Sequence, residues 1–229
     1  ANNPSGVYFK KAKDANKLIE EFMLLANRQV ASFIGKKMDG SPSKKPFVYR
    51  VHDVPDPDKI GAFSAFVKQF GYQMYMKNTK DIANSRNRVL ADVSGKREEN
   101  IVELLAIRTM SKAKYTTENI GHYGLGFHYY THFTSPIRRW PDVMVHRLLQ
   151  HYLDGEKVKN KEAIEAQCKH SSEMEKLSTD AERSSIKYMQ VKYLVGKEGQ
   201  EFNALVSGVT EFGMFVELED SLCEGLVSM

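Results

Sequence analysis

A chain of 229 residues that is 41% hydrophobic and 27% charged can bury a sizeable core and has too little compositional bias for a fibrous or disordered protein. No apolar run approaches the roughly 18 residues of a bilayer-crossing helix, and no charged stretch followed by an apolar segment opens the chain, so the expectation is a cytoplasmic protein without a membrane span. The two cysteines, Cys168 and Cys223, lack metal-ligand spacing and suggest neither a disulfide framework nor a zinc ribbon, while a net charge of +4 is compatible with a polyanionic partner without requiring one.

Taken in chain order, Lys17 to Ile34 carries apolar residues at helical intervals and predicts a helix ending near Gly35. Residues 36–45, rich in Lys, Gly, Ser and Pro, read as an exposed loop, and Phe47 to His52 as a short strand. Ile60, Phe63, Phe66, Val67 and Phe70 then recur at helical spacing from about residue 57 to Gly71. Further helical patterns occupy roughly 79–92, 98–112, 141–154 and 161–194. Past Gly196-Lys197-Glu198-Gly199 the pattern turns to β, with strands expected over Glu201–Ser207, Phe212–Leu218 and Glu224–Val227. That change places a domain boundary near residue 197, between 1–196 and 197–229. The chain opens at Ala1 without methionine and closes at Met229 inside a strand-like stretch, from which a piece of a longer protein is expected.

The segment that carries chemistry runs from His122-Tyr123-Gly124-Leu125-Gly126 through Tyr130-Thr131-His132-Phe133-Thr134-Ser135-Pro136-Ile137-Arg138-Arg139-Trp140-Pro141-Asp142 and continues to Val145-His146-Arg147. Ser135 can cap a helix with Pro136 at its first position, where a missing N–H costs nothing. Free backbone donors and two guanidinium groups at a helix start suit a phosphate. Pro141 should kink or restart that helix after Trp140. The alternative is that Arg138 and Arg139 merely pair with acidic neighbours such as Asp142.

Other groupings explain themselves without metal. Asp56 before Pro57 reads as an N-cap, with Asp58 in the first turn, so Asp53, Asp56 and Asp58 need not bind a cation. His128, His132, His146 and His151 gain no cysteine, and their stretch need not be helical, which argues against zinc. Gly121, Gly124 and Gly126 lack dinucleotide-binding spacing.

The string HFTSPIRRWPD-x-x-VHR-x-L, over residues 132–149, resembles the signature of the ribonuclease II and ribonuclease R catalytic domain, which usually has Tyr at the Trp140 position. Leu18-Ile19-Glu20-Glu21-Phe22-Met23-Leu24-Leu25-Ala26-Asn27 is similar to a helix of the same family, and the likeness extends through Phe47–His52, Arg108–Ala113 and Ala181–Arg183. The tail, Val206–Leu218 with Glu224–Val227, resembles the opening of an OB fold of the ribosomal protein S-one type. Phe212 with Met214 would face one side of its strand and Phe215 the other; exposed, either Phe would stack on a base, and buried it is barrel core.

The resemblance implies an α+β fold: the mostly helical C-terminal part of an RNB-type catalytic domain with a short β segment, then an incomplete OB-fold barrel. It implies a processive 3′-to-5′ exoribonuclease that hydrolyses single-stranded RNA to nucleoside 5′-monophosphates, expected as a monomer. Arg138 would be catalytic, and Arg139 an RNA-backbone contact together with Asn27, Ser135 and His132. A glutamate of the first helix would meet the ribose; Glu20 and Glu21 point about 100° apart, and both stay candidates. Phe212 and Phe215 would contact RNA in the tail. The family's magnesium is held by a string of the form D-P-x-x-A-K-D-x-D-D-A, which does not occur in this sequence, so the chain alone is expected to be inactive. The rival reading is a non-catalytic module that binds single-stranded RNA.

Overall fold

The structure, a computed structural model, describes residues 4, 6–8, 11–158 and 160–228. Apolar residues at helical spacing build α1 (Asp14–Gly35), whose buried stripe is Asn27, Ala31, Ile34 and Gly35. The stripe ends at a close approach: a Cβ on Gly35 would lie 2.5 Å from the Tyr129 ring and 2.8 Å from the Tyr49 hydroxyl. Next, β1 (Tyr49–Val51) pairs antiparallel with β2 (Lys114–Thr116), setting Tyr49 opposite Thr116 and Val51 opposite Lys114. Helices α5 (Trp140–Leu153) and α6 (Lys161–Leu194) follow. Ala31 and Ile34 of α1, Phe47 and Val48 before β1, Val145 of α5 and Cys168 of α6 close on one core.

Between β1 and β2 the chain builds a second core from α2 (Pro57–Lys68), α3 (Thr79–Val93) and α4 (Glu99–Arg108). Phe63, Val67, Val89, Val93, Val102 and Ala106 meet there. Asp56 caps α2, its carboxylate accepting the Asp58 N–H at 2.9 Å with Pro57 in the first turn, as the order Asp56-Pro57 anticipates. Asn78 caps α3 in the same way, accepting from Asp81 at 2.9 Å.

Residues Leu18–Ser172 form one compact unit; the other combines the described residues before it with those from Glu173 onward. In the latter, β3 (Ala204–Thr210), β4 (Gly213–Leu218) and β5 (Glu224–Ser228) make an open antiparallel sheet in that order. Gln190 of α6 braces it by donating to the Leu222 carbonyl at 2.8 Å. The strands differ from expectation because the register shifts between Val206 and Gly208 and the first turn is shorter than the pattern implies. Val209 and Thr210 belong to β3, and Glu211-Phe212 alone turn the chain. Gly213 has φ 147°, and a Cβ there would sit 2.2 Å from the Val227 carbonyl oxygen, so only glycine lets β4 start so close to β5. Phe212, expected on a strand face beside Met214, therefore stands at the turn, 79% exposed. Phe215 is half-buried in β4, opposite Gly208 and Leu226.

The fold class is α+β, and among the described residues no helix is long and apolar enough to cross a membrane. Replacing Asp56 with Ala leaves the Asp58 N–H without its cap, and thermal denaturation should show a loss of about 1 kcal/mol.

Candidate nucleic-acid interface

Residues 127–134 run in extended form beside β1 and are tied down from three sides. Arg50 N–H donates to the Tyr130 carbonyl at 3.0 Å, and the Thr131 hydroxyl donates to the Val48 carbonyl at 2.7 Å. From α1, the Asn27 amide donates to the Tyr130 hydroxyl at 3.2 Å and accepts the Phe133 N–H at 2.9 Å. From α5, His146 Nε2 donates to the Phe133 carbonyl at 2.9 Å while its ring stacks on Phe133 at 4.0 Å.

The chain then turns. Arg138 and Arg139 N–H both donate to the Ser135 carbonyl, at 3.3 and 3.1 Å, and α5 begins only at Trp140. This corrects the expected Ser135-capped helix with Pro136 as its first residue. Pro141 is the proline that occupies the first turn of the helix. A helix starting at Pro136 would have to run through Pro141, whose ring clashes with the carbonyl four residues back. Residue 139 is the N-cap and makes no side-chain cap bond.

Asp142 holds the turn instead. Its carboxylate has no exposed surface, and one oxygen accepts both the Ser135 N–H and the Arg139 guanidinium, each at 2.8 Å. The two arginines thus part company. Arg139 pairs with Asp142 and keeps a side chain 19% exposed; Arg138 is exposed and makes no ion pair among the described residues. Ser135 takes part through its backbone, and its side chain is half-buried.

Two other expected contacts are also spent inside the protein. Asn27 is buried, and both ends of its amide are used, so it positions the segment and cannot reach RNA. His132 Nδ1 and the Tyr115 hydroxyl share a hydrogen bond of 2.7 Å. Burial, with Arg139 and Arg50 close by, pushes the His132 pKa down to about 3, which leaves the ring neutral at pH 7. His122, buried beside His52, is pushed down to about 4.

These rings continue a ladder: His52 stacks on His122 at 5.1 Å, His122 meets Tyr130 edge-on at 5.3 Å, and Tyr130 meets His132 at 5.7 Å. Arg50 lies over Tyr115 at 4.6 Å and Arg28 over Phe127 at 5.4 Å. Arg50, His52 and His122 fall within stretches quoted from the sequence but were given no role there, and Tyr115 was missed altogether. The pairing of β1 with β2 is what brings Arg50 opposite Tyr115, and the only sequence trace is their place in two short strands.

Glu20 and Glu21 are exposed on α1. Each stands seven residues, about 10 Å of helix, before a residue that touches the segment: Glu20 before Asn27, Glu21 before Arg28. Phe212 and Phe215 belong to the other unit. Among the described residues no three His, Cys, Asp or Glu side chains gather as a cation site requires, so the residues present do not fit the magnesium implied by the resemblance.

The RNB domain family matches residues 1–155, more than half of the chain. The chain belongs to the RNB family. Within that family it is 37% identical over 229 residues to Ribonuclease R of Aquifex aeolicus, covering 99% of this chain and 32% of that protein. It is 32% identical over 226 residues to Ribonuclease R of Escherichia coli, covering 93% of this chain and 27% of the relative. The chain therefore spans about a third of the length of the curated relatives it matches. Among solved RNB structures, Mycoplasma genitalium RNase R in complex with ribose methylated single-stranded RNA superposes with TM-score 0.84 at 26% identity, covering 99% of this chain and 35% of that one. Yeast Ssd1, described as a pseudonuclease, shares the fold with TM-score 0.72 at 23% identity, covering 93% of this chain and 26% of that one.

For this RNB chain, Asp142→Ala strands the Arg139 charge in a buried setting and should cost about 3–5 kcal/mol in urea denaturation, whereas Arg138→Ala should stay within about 0.5 kcal/mol. The histidines set an acid limit. Below pH 6.5 the unfolded chain takes up protons at His132 and His122 that the native rings refuse until about 3 and about 4, so the stability they contribute is complete above pH 6.5 and lost as pH falls toward 3. Denaturation at pH 7 and pH 5 should show a smaller acid-induced loss for His132→Gln than for the parent chain.

Proposed function

We propose that this chain is part of the catalytic region of a 3′-to-5′ exoribonuclease that removes nucleoside 5′-monophosphates from single-stranded RNA. The observation that carries this reading is the exposed guanidinium of Arg138 on a turn locked by buried Asp142, in a chain of the RNB family. One protein of the same fold, Mycoplasma genitalium RNase R, is solved both with ribose methylated single-stranded RNA and with double-stranded RNA, which supports RNA as the ligand.

Arg138 meets the phosphate as charge builds on its oxygens, and because the turn is already set, no reorganisation is needed at that moment. Asp142 and Arg139 hold the turn, and Asn27 holds the segment leading into it. The carboxylate of Glu20 or Glu21 accepts a hydrogen bond from the ribose 2′-hydroxyl, which separates RNA from DNA. The divalent cation implied by the family supplies an activated water when bound, and its carboxylates are not in this sequence. Phe212, exposed at its turn, offers a ring face on which a base can stack.

The rival, a non-catalytic RNA-binding module, draws on the same Arg138 and Phe212 and separates by activity. Labelled single-stranded RNA with magnesium should be bound by this 229-residue chain with salt-sensitive affinity and left intact. Robust turnover would refute the account of the missing cation ligands. In a longer form that carries the aspartate string, Arg138→Ala should lower kcat about 100- to 1,000-fold with a much smaller effect on RNA affinity. If that longer form degrades no RNA, the binding module is the correct reading.

A further inference from the structure

In the unit that carries Arg138, a recess of about 280 Å3 opens on another part of the fold, where the end of α1, the loop before β1 and the start of α6 converge. Lys44, Lys45 and Lys161 line it and no carboxylate does. Tyr129 forms a wall; Lys36 rests its ammonium 5.1 Å from that ring, and the Lys45 ammonium is 4.8 Å from the ring of Tyr152. Aromatic faces of this kind hold cations in place.

Two acids in this part of the fold, Asp39 and Glu165, are already engaged by hydrogen bonds and are outnumbered by the lysines. The Asp39 carboxylate is turned into its own loop, accepting the Ser41 N–H at 2.8 Å and hydroxyl at 2.6 Å. Glu165, which also feels Lys161, is engaged by the Thr117 N–H and by the hydroxyls of Thr116 and Thr117. The carbonyl end of α1 contributes about half a negative charge, against the ammonium groups of Lys36, Lys44, Lys45 and Lys161. A surplus of cations around a walled recess calls for an anion.

We infer that this recess binds a ribonucleotide phosphate, either within an RNA strand or as a free nucleoside 5′-monophosphate. Its volume, at the small end of ligand sites, holds a phosphate and ribose with Tyr129 beside them. The phosphate follows from the lysines alone; the ribonucleotide rests on the function proposed above. Tyr129 lies six residues before Ser135, at most about 20 Å along an extended chain, so one RNA strand can touch both places.

The test is a titration of the 229-residue chain with uridine 5′-monophosphate, inorganic phosphate and a short oligouridylate at low salt, followed by backbone amide NMR. Uridine monophosphate should shift amides of residues 43–45 and 117–119. The exposed-lysine variant Lys44→Ala/Lys45→Ala should weaken its affinity about tenfold. Shifts at the same amides with oligouridylate assign the occupant to an RNA strand; shifts with the monophosphate alone assign it to the released nucleotide. The inference is overturned if neither nucleotide ligand shifts these amides, if the lysine variant binds like the parent chain, or if inorganic phosphate binds as tightly as the nucleotide. Failure of the proposed function looks different: a longer form that carries the aspartate string would then keep its kcat in Arg138→Ala.

Discussion

A single carboxylate removed from water, that of Asp142, determines how the Ser135–Arg139 turn is presented. A buried carboxylate is tolerable only with charge and donors to meet it. It takes the charge from Arg139 and the donor from the Ser135 N–H, which are the two ends of the turn. Closing that short ring of contacts leaves Arg138, one residue away, with its side chain in solvent. One guanidinium is thus used internally so that its neighbour can be displayed from a rigid base. A side chain displayed in this way needs little reorganisation to meet an anion.

Asn27 extends the same logic to α1. Its amide bridges the Tyr130 hydroxyl and the Phe133 N–H, joining the glutamate-bearing helix to the arginine-bearing segment across more than a hundred residues of sequence. In the ring ladder beneath, His132 and His122 are pushed well below their ordinary range, while Arg50 and Arg28 lie over aromatic faces. Guanidinium groups therefore supply fixed positive charge along this segment. A polyanion would meet a field set by geometry.

The elements were largely legible in the sequence, and the reasons for the misses are specific. Helix α6 and the start of α2 follow from periodicity and from Asp56-Pro57, both local signals. The start of α5 was misread because Ser135-Pro136 and Trp140-Pro141 are both valid helix openings. Local chemistry cannot choose between them; the buried carboxylate of Asp142 does. Asn27 is buried by segments distant in sequence, which local chemistry does not reveal. Arg139 pairs with Asp142, the alternative that the sequence left open. The shift of β3 escaped notice because a register irregularity at Gly208 leaves no mark in alternation.

The choice between the two glutamates also turns on α1. Asn27 and Arg28 are adjacent, so their side chains leave the helix about 100° apart, and Glu20 and Glu21 repeat that divergence two turns earlier. The line through Asn27 is the buried stripe of α1, which continues to Ala31 and Ile34 and faces the segment that delivers Arg138. The line through Arg28 passes over Phe127, six residues earlier in that segment than Phe133. A ribose held next to a phosphate at Arg138 is therefore served better by the carboxylate on the first line, and the helix geometry favours Glu20 over Glu21 for that contact.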